Sequence, residues 1–525
     1  MAVTDLHSAP RAALSSGAPD AEDAIPRERL SRVAVAYLLC IMLPVFFQLG
    51  PLGMGNLRLL LIIIVVPLLV RLYLGHFGKL VLPDVLFPAF ILWTLLSLMR
   101  NNPDMAIENT GSTGIEFLGG YLCGRAYVRT PGQFLHLCRW LALIVCLLMP
   151  IALIEAATGR LLLGEMLSKL PGMGSETQNV GGARLGLDRV QTVFAHPIHF
   201  GLFCSVAVSM VFVAMKGQVA PPLRYLLAGM MILTGCLALS SGALLAMILL
   251  VGLVTWAWIF RQLSWKWWLL LAMLAFAYVV IDLLSNRSPL RVFLSYATMS
   301  AHTAYWRAII FEWGMINVWE NPLLGLGFND WKRPVYMISG SMDNFWLVIA
   351  VRYGIPAFLC LALGVFVPLM RIIFRDFRAD PRLAQLRLAW VLTFVCLSFT
   401  LSTVHIWGNI FSFVFFMFGA GLWMVRAEPL APGSETGEGA DTGQPAGRAP
   451  ARYTRFAPDR AASGRTAPPE AAPPTSAAGF RLSRRAGATN TQADTSRRPE
   501  APGAPRATPG RAPRPARHRP DLPDV

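Results

Sequence analysis

Residues 302–346 hold the densest group of side chains that could do chemistry in this chain. Arg307 lies on a helix-like run that Asn321-Pro322 ends, because proline cannot continue a helix. Two glycines then permit a tight turn, and Asp343 opens the next apolar segment. A charged, glycine-bent insert between membrane helices is costly unless it lines a cavity or lies at the interface. This stretch is therefore the predicted working part of the chain.

A second charged stretch precedes another apolar segment and holds Arg184 and Arg189, followed by His196 and His199. The two histidines are spaced i, i+3, which places both on one face of a helix. That spacing can serve a metal, but no third ligand is evident nearby in the sequence. The favoured interpretation is that His196 begins the span and shapes a binding cavity. Arg189 and Arg307 have a structural alternative, which is an ion pair with Asp188 or Glu312, or snorkelling to headgroups.

Several polar groups of the first stretch have both a catalytic and a structural interpretation. Asp343 can accept a proton from an acceptor hydroxyl, or it can cap the next helix. Asn344 can orient a sugar hydroxyl or be the cap itself. Arg352 faces a cavity or pairs with a carboxylate. His302 is a second candidate base, and His405 is predicted to lie at the membrane interface.

Composition places the chain among polytopic membrane proteins, since 55% of its 525 residues are hydrophobic and only 14% are charged. The net charge of +16 does not indicate nucleic-acid binding, because no basic, aromatic-interleaved module remains once the apolar segments are removed. The eight cysteines fall in or beside apolar runs without a CxxC pair. They are interpreted as small buried hydrophobes.

The predicted fold class is an all-α polytopic membrane protein with about 12 transmembrane helices. The segments lie near residues 33–49, 57–74, 84–99, 111–127, 136–158, 196–215, 222–240, 242–260, 266–284, 344–370, 387–403 and 406–425. With the N-terminus inside, the short outer loops are nearly free of Lys and Arg. Removing the fourth segment, which holds Glu116, would put the cluster Arg371–Arg387 outside. Both termini are therefore predicted to be cytoplasmic.

The predicted organisation has three parts. They are an N-terminal cytoplasmic segment at 1–32, a membrane domain at 33–426 and a C-terminal tail at 427–525. Two long loops of the membrane domain face outward, at 159–195 and 285–343. The tail is rich in Ala, Pro, Gly and Arg, a composition typical of a disordered segment.

Two motifs in a fixed order point to a family. The first is RVQTVFAHPIHFGLF at 189–203, an arginine before a "tF-x-(H/N)-P" segment that enters a span. The second, at 305–354, runs from YWRAIIF through NPLLGLG to an Asp-Asn pair at the start of a span. Together they resemble the bacterial O-antigen ligase and polysaccharide polymerase superfamily. The resemblance covers roughly residues 33–425, judged by span count and motif order.

The resemblance implies a C-type glycosyltransferase fold in the bacterial inner membrane. It implies undecaprenyl-diphosphate-linked oligosaccharides as substrates on the periplasmic face, without a metal or other cofactor. Arg189 and Arg307 match the family's arginine positions and would stabilise the diphosphate leaving group. Ligases of the family carry a histidine where this chain has Asp343. That departure favours a polymerase of exopolysaccharide or O-antigen repeats over a ligase that transfers glycan to lipid A core.

Other expectations concern partners and the competing class of function. The lipid bilayer is an implied partner, and a chain-length-regulating co-polymerase is a candidate one. A transporter or flippase of lipid-linked sugars is the alternative from a different class. Transporters commonly show repeated halves with broken helices, and the sequence shows no convincing internal repeat.

Overall fold

The computed structural model describes most of the membrane domain. The described residues are 28–49, 52–171, 174–175, 179, 182–285 and 301–428, without the side chains of 48, 49, 52, 53 and 301–304. The predicted N-terminal segment up to residue 27, the tail from residue 429 and the side chain of His302 lie outside the described residues. By its contacts the chain divides into units 1–457 and 458–525, and the second unit also lies outside them.

Helices make up nearly all of the regular structure. They are α1 Arg32–Met42, α2 Asn56–Tyr73, α3 Leu82–Asn101, α4 Pro103–Tyr127, α5 Pro131–Thr158, α6 Leu162–Ser168, α7 Pro197–Ser209, α8 Pro221–Cys236, α9 Ser241–Ile259, α10 Lys266–Leu284, α11 Ala301–Glu320, α12 Phe345–Ile373, α13 Pro381–Thr400 and α14 Gly408–Gly421. A π-helical turn, Met210–Ala214, extends α7, and a 3₁₀ turn, Leu422–Val425, extends α14. Two short antiparallel pairs complete the fold: β1 Phe46–Leu49 with β2 Leu52–Gly55, and β3 Ala183–Arg184 with β4 Leu187–Asp188.

Each of the twelve predicted segments contains a helix, and nine helices in the described part of the chain are long and apolar enough to cross a membrane. The other three predicted spans are α1 with 11 residues, α8 with 16 residues, and α4, which has 25 residues but is polar. The chain is therefore an all-α polytopic membrane protein. The run Ala301–Glu320 is a helix but is not among the apolar spans, as predicted.

The first span is shorter than predicted. Helix α1 ends at Met42, because Pro44 disfavours helical backbone in the residue before it. The chain then forms the β1–β2 pair, in which Phe46 faces Gly55. Pairing with Gly174 joins this hairpin to the long loop after α5.

The polar helix α4 lies at the centre of the bundle. Its C-terminal part, from Phe117 to Ala126, is buried throughout, and it packs along α14. A Cβ atom at Gly120 would collide with the backbone of Ser412, so the glycine allows the two helix backbones to approach closely. Small residues serve this purpose in membrane helix pairs.

The helix connections form two groups. The first rim comprises 43–49, 52–55, 182–196, 237–240, 321–344 and 401–407, and within it 182–196 bonds to 237–240. The second rim comprises 74–81, 128–130, 374–380 and 426–427. In the second rim the Arg426 Nη2 donates to the Leu80 carbonyl at 3.1 Å, and the Arg375 Nη2 donates to the Ala427 carbonyl at 2.7 Å. All described candidate site residues lie at or next to the first rim.

Helix α12 is broken near its start, at Gly354, where φ is 85° and ψ is 172°. The break frees backbone groups that a membrane segment must satisfy internally. The turn after α11 satisfies them: the Leu326 N–H donates to the Val351 carbonyl at 2.9 Å, and the Ile355 N–H donates to the Pro322 carbonyl at 2.7 Å. The NPLLGLG motif therefore supplies hydrogen-bond partners to the backbone at the break in α12, and it fixes the position of the N-terminal part of that helix.

Candidate functional site

The loop that carries Arg184 and Arg189 is docked on the connection between α8 and α9. Three successive carbonyls of that connection accept hydrogen bonds from the loop. The Val190 N–H donates to Leu237 at 3.1 Å, the Arg189 Nε donates to Ala238 at 3.3 Å, and the Arg184 Nη1 donates to Leu239 at 3.0 Å. Burial, and then the charge of Arg184, lower the pKa of Arg189 to about 10.

Glu155, near the end of α5, holds the other side of this loop, and the sequence analysis missed it. Its carboxylate is fully buried and accepts the backbone N–H of Gln191 at 2.8 Å and that of Thr192 at 3.0 Å. Thr192 has a φ of 49°, an unusual value for a β-branched residue. A lone carboxylate inside an apolar segment was the available signal, since such groups are costly and usually functional.

His196 ends the loop and begins α7, as predicted. Its Nδ1 accepts the backbone N–H of Ile198 at 3.1 Å, so the ring caps the helix. His199 follows on the next turn and is 1% exposed, with its ring centroid 6.0 Å from that of His196. Among the described residues no group of three or more His, Cys, Asp or Glu could hold a metal ion. All eight cysteines are free.

Helix α11 positions Arg307 at the first rim. The helix is tied to the segment after it by Asn317, whose Nδ2 donates to the Lys332 carbonyl at 2.8 Å and whose Oδ1 accepts the Lys332 N–H at 2.9 Å. Within the part of the chain that the structure describes, the Nε and Nη1 of Arg307 are buried without a hydrogen-bond partner. Burial lowers the pKa of Arg307, and the Asp343 carboxylate opposes that shift.

The helix cap that was considered for Asp343 belongs to Asn344. The Asn344 Oδ1 accepts the Leu347 N–H at 3.1 Å, which caps α12. Asp343 is half-buried, and its Oδ1 accepts a hydrogen bond from the Ser341 hydroxyl at 3.2 Å. Its carboxylate is thus not occupied by helix capping.

The two charged loops meet at Asp343. Burial and the positive charge of Arg189 lower the pKa of His196, and the Asp343 carboxylate opposes that shift. The same carboxylate acts on Arg307. The structure therefore brings Arg189, His196, Asp343 and Arg307 into one electrostatic neighbourhood, although the arginines lie in loops more than a hundred residues apart in sequence.

Arg352 and His405 lie beside this neighbourhood. The Arg352 guanidinium lies 5.2 Å from the ring centroid of Phe328, and the structure gives it no ion pair with a described carboxylate. His405, which is predicted to be interfacial, is packed into the first rim, with its ring stacked on Phe345 and Trp407 at 6.1 Å and 5.8 Å between centroids. Burial and the charge of Arg352 lower the pKa of His405 to about 4.

Comparison with known proteins shows which family part of the chain is similar to. A family model described as O-antigen ligase matches residues 226–362. The match contains the whole second motif, from the arginine of α11 to the broken part of α12. No curated protein matches the chain. The resemblance read from the motifs is confirmed, and the chain carries an O-antigen ligase family domain at residues 226–362.

Proposed function

We propose that this protein is a polymerase of the bacterial inner membrane. It joins undecaprenyl-diphosphate-linked oligosaccharide repeats into exopolysaccharide or O-antigen at the periplasmic face. The family match supports a glycosyltransferase-type enzyme with a lipid-linked oligosaccharide substrate. In this proposal the first rim is periplasmic. Arginines gathered at the second rim, such as Arg375 and Arg426, support a cytoplasmic second rim and cytoplasmic termini.

The observation that carries the proposal is the state of Arg307. Two of its nitrogens are buried without a hydrogen-bond partner in the described structure, next to a carboxylate that no helix cap occupies. A buried guanidinium requires an anion or acceptor, and its planar shape matches phosphate oxygens bidentately. A diphosphate at the first rim would supply those acceptors, with Arg189 on its other side.

The proposed reaction is a single inverting displacement. A hydroxyl oxygen of the acceptor repeat forms a bond to the anomeric carbon of the donor glycan. The bond from that carbon to the diphosphate oxygen breaks, and its electron pair leaves with undecaprenyl diphosphate. Arg189 and Arg307 stabilise the leaving charge, and Asp343 takes the hydroxyl proton. His196, His199, Arg184, Asn344 and Arg352 surround the substrates, and His302 stays a second candidate base.

Asp343 supports the choice of a polymerase over a ligase. Ligases that the chain resembles carry a histidine at this position, so a mechanism that depends on that histidine is not available here. Transport is less well supported, because the described candidate site residues lie at or next to the first rim and not at the bilayer midplane. A chain-length-regulating co-polymerase stays a candidate partner.

A clean deletion strain tests the function. Undecaprenyl-linked glycans are analysed by mass spectrometry, together with secreted polysaccharide and lipopolysaccharide. We expect single repeats to accumulate on the lipid, exposed to the periplasm, while secreted polymer is lost. Long polymer that remains on the carrier would indicate a ligase. Repeats trapped on the cytoplasmic leaflet would indicate transport and refute an enzymatic role.

A further inference from the structure

The turn 401–407, between α13 and α14, brings His405 and Trp407 to the first rim, and the proposed reaction leaves both unused. The Phe345 N–H donates to the carbonyls of Leu401 and Val404, at 2.8 Å and 3.0 Å. These bonds attach the turn to the first residue of α12, two positions after Asp343. Whatever binds to the turn therefore lies next to the proposed proton acceptor.

The exposed member of this pair is Trp407. Three imidazoles surround its indole: the ring centroid of His199 is 4.1 Å away, that of His405 is 5.8 Å away and that of His196 is 5.9 Å away. Trp407 is 44% exposed, whereas His199 is 1% exposed. We call these four residues the indole–imidazole cluster. The cluster therefore presents a partly exposed indole with imidazole rings packed against it.

Two imidazole nitrogens of the cluster, the His199 Nε2 and the His405 Nδ1, are buried without a hydrogen bond in the described structure. The His199 ring also interacts with the backbone of His405, so the His405 Nδ1 is the clearer case. Leaving a buried polar atom unsatisfied costs roughly 1–3 kcal/mol, so such atoms in a native protein call for an explanation. A bound ligand with hydroxyl groups would provide the missing partners.

An interfacial tryptophan belt is the simpler explanation for an exposed indole. The chain does contain such residues, because Trp258 and Trp319 are 68% and 67% exposed. Neither has a histidine ring against it in the described structure. The belt would explain the exposure of Trp407, but it does not explain buried imidazole nitrogens that lack partners.

We propose that the indole–imidazole cluster is a binding subsite for a pyranose ring of the acceptor glycan. The apolar face of the sugar stacks on the Trp407 indole, and its hydroxyls bond to His199 and His405. This subsite rests on the proposed function, because that function defines the acceptor. The acceptor hydroxyl next to the stacked ring would then lie beside Asp343.

The charge state of the cluster favours a sugar over a phosphate. His405 is neutral at pH 7, since burial and Arg352 hold its pKa at about 4. His196 also has a lowered pKa. A neutral imidazole offers one donor and one acceptor, which suits a hydroxyl. The diphosphate belongs instead with the guanidinium groups of Arg189 and Arg307.

The test measures sugar binding in the absence of the lipid diphosphate. The full chain is placed in lipid nanodiscs, and oligosaccharides released by partial acid hydrolysis of the strain's own polysaccharide are titrated in. Saturation-transfer NMR reports contact with pyranose protons. We expect Trp407→Ala to weaken binding by about tenfold and Trp407→Phe to retain most of it, because phenylalanine keeps a stacking face. Trp319→Ala, which removes another exposed indole, should bind like the unaltered protein.

A further variant separates this proposal from the proposed function. Arg307→Ala should lose glycan transfer but keep oligosaccharide binding, because the free sugar lacks the diphosphate. If Trp407→Ala binds the oligosaccharide as the unaltered protein does, or if the unaltered protein does not bind it, the subsite is refuted. Full transfer by Arg307→Ala, with binding still lost in Trp407→Ala, would refute the role of Arg307 and leave the subsite supported.

Discussion

The Glu155 carboxylate lies 3.0 Å from the backbone nitrogen of Thr192 and accepts its hydrogen, which holds that residue at a φ of 49°. Backbone strain of this kind costs roughly 1–3 kcal/mol and persists only where surrounding groups enforce it. Thr192 lies between Arg189 and His196. A carboxylate buried in a membrane helix thus fixes the path of the loop that carries two proposed substrate-binding groups.

Replacing Glu155 should therefore impair glycan transfer, although Glu155 itself does not contact the substrate in the proposed reaction. In Glu155→Gln the side-chain oxygen can still accept one backbone N–H group. The amide nitrogen then faces the other backbone N–H group and cannot accept its hydrogen. We expect a decrease in turnover of about tenfold in Glu155→Gln and a larger decrease in Glu155→Ala. Turnover is measured with lipid-linked repeats and the purified protein in nanodiscs.

Two further variants show whether Glu155 acts through the loop. Glu165→Gln changes a partly exposed carboxylate paired with Arg160 and should leave turnover unchanged. Thr192→Gly removes the steric cost of the positive φ, so it should partly restore turnover to Glu155→Gln. A double variant no better than Glu155→Gln alone would contradict a positioning role.

Arg307 should be required for the chemical step. Removing a charged donor aimed at a developing anion typically lowers turnover by about 100-fold to 1,000-fold, and we expect this for Arg307→Ala. Arg307→Lys should recover part of the loss, since an ammonium group keeps the charge but cannot bind phosphate bidentately. Polymer yield and single-turnover transfer measure the effect.

A matched control is Arg160→Ala, because Arg160 is 67% exposed in its side chain and is paired with Glu165 in the described part of the chain. Its loss should leave transfer unchanged. If Arg307→Ala gives full polymer yield at normal expression, its assigned role is wrong.

Gly354 should be needed for folding. Its backbone conformation is essentially restricted to glycine, and a Cβ atom would collide with the backbone of Leu323 in the turn that follows α11. We expect Gly354→Ala to lower stability by about 3 kcal/mol or more and to reduce the yield of folded protein. Gly252→Ala is the control, because that helical glycine has open space around it. Thermal unfolding in detergent compares the two variants. Equal melting temperatures would contradict the close packing of the turn after α11 against Gly354.

The sequence predicted where the helices lie because length and hydrophobicity decide membrane insertion. It also predicted the helix that ends at Glu320. The end of α1 was missed, although Pro44 and the turn residues after it carried a local signal. A prediction from hydrophobicity alone extends the first span beyond the end of α1, because the residues that follow it are also apolar.

The side chains that complete the site could not be predicted from local pattern. Glu155 bonds to backbone atoms of residues 191 and 192, and Phe345 bonds to residues 401 and 404. Both contacts depend on which connections meet at the first rim, and that depends on how α5, α7, α12 and α14 pack together.

The stability of the protein should depend on pH through His405. Its pKa is about 4 in the folded protein and about 6.5 in an unfolded chain. Between these values the unfolded state binds a proton that the folded state does not, so stability decreases as the pH falls from 6.5 toward 4. The full effect is about 3 kcal/mol.

His405→Gln should remove this contribution, because glutamine does not titrate. We expect both proteins to have similar melting temperatures at pH 7, and the variant to be the more stable of the two at pH 4.5. Asp343, His196, His199 and Arg352 are common to both proteins, so the difference between the two pH profiles isolates His405. Parallel profiles from pH 7 to pH 4.5 would mean that His405 takes up its proton as readily in the folded protein as in the unfolded chain. The packed environment between Phe345 and Trp407 would then not hold the ring neutral.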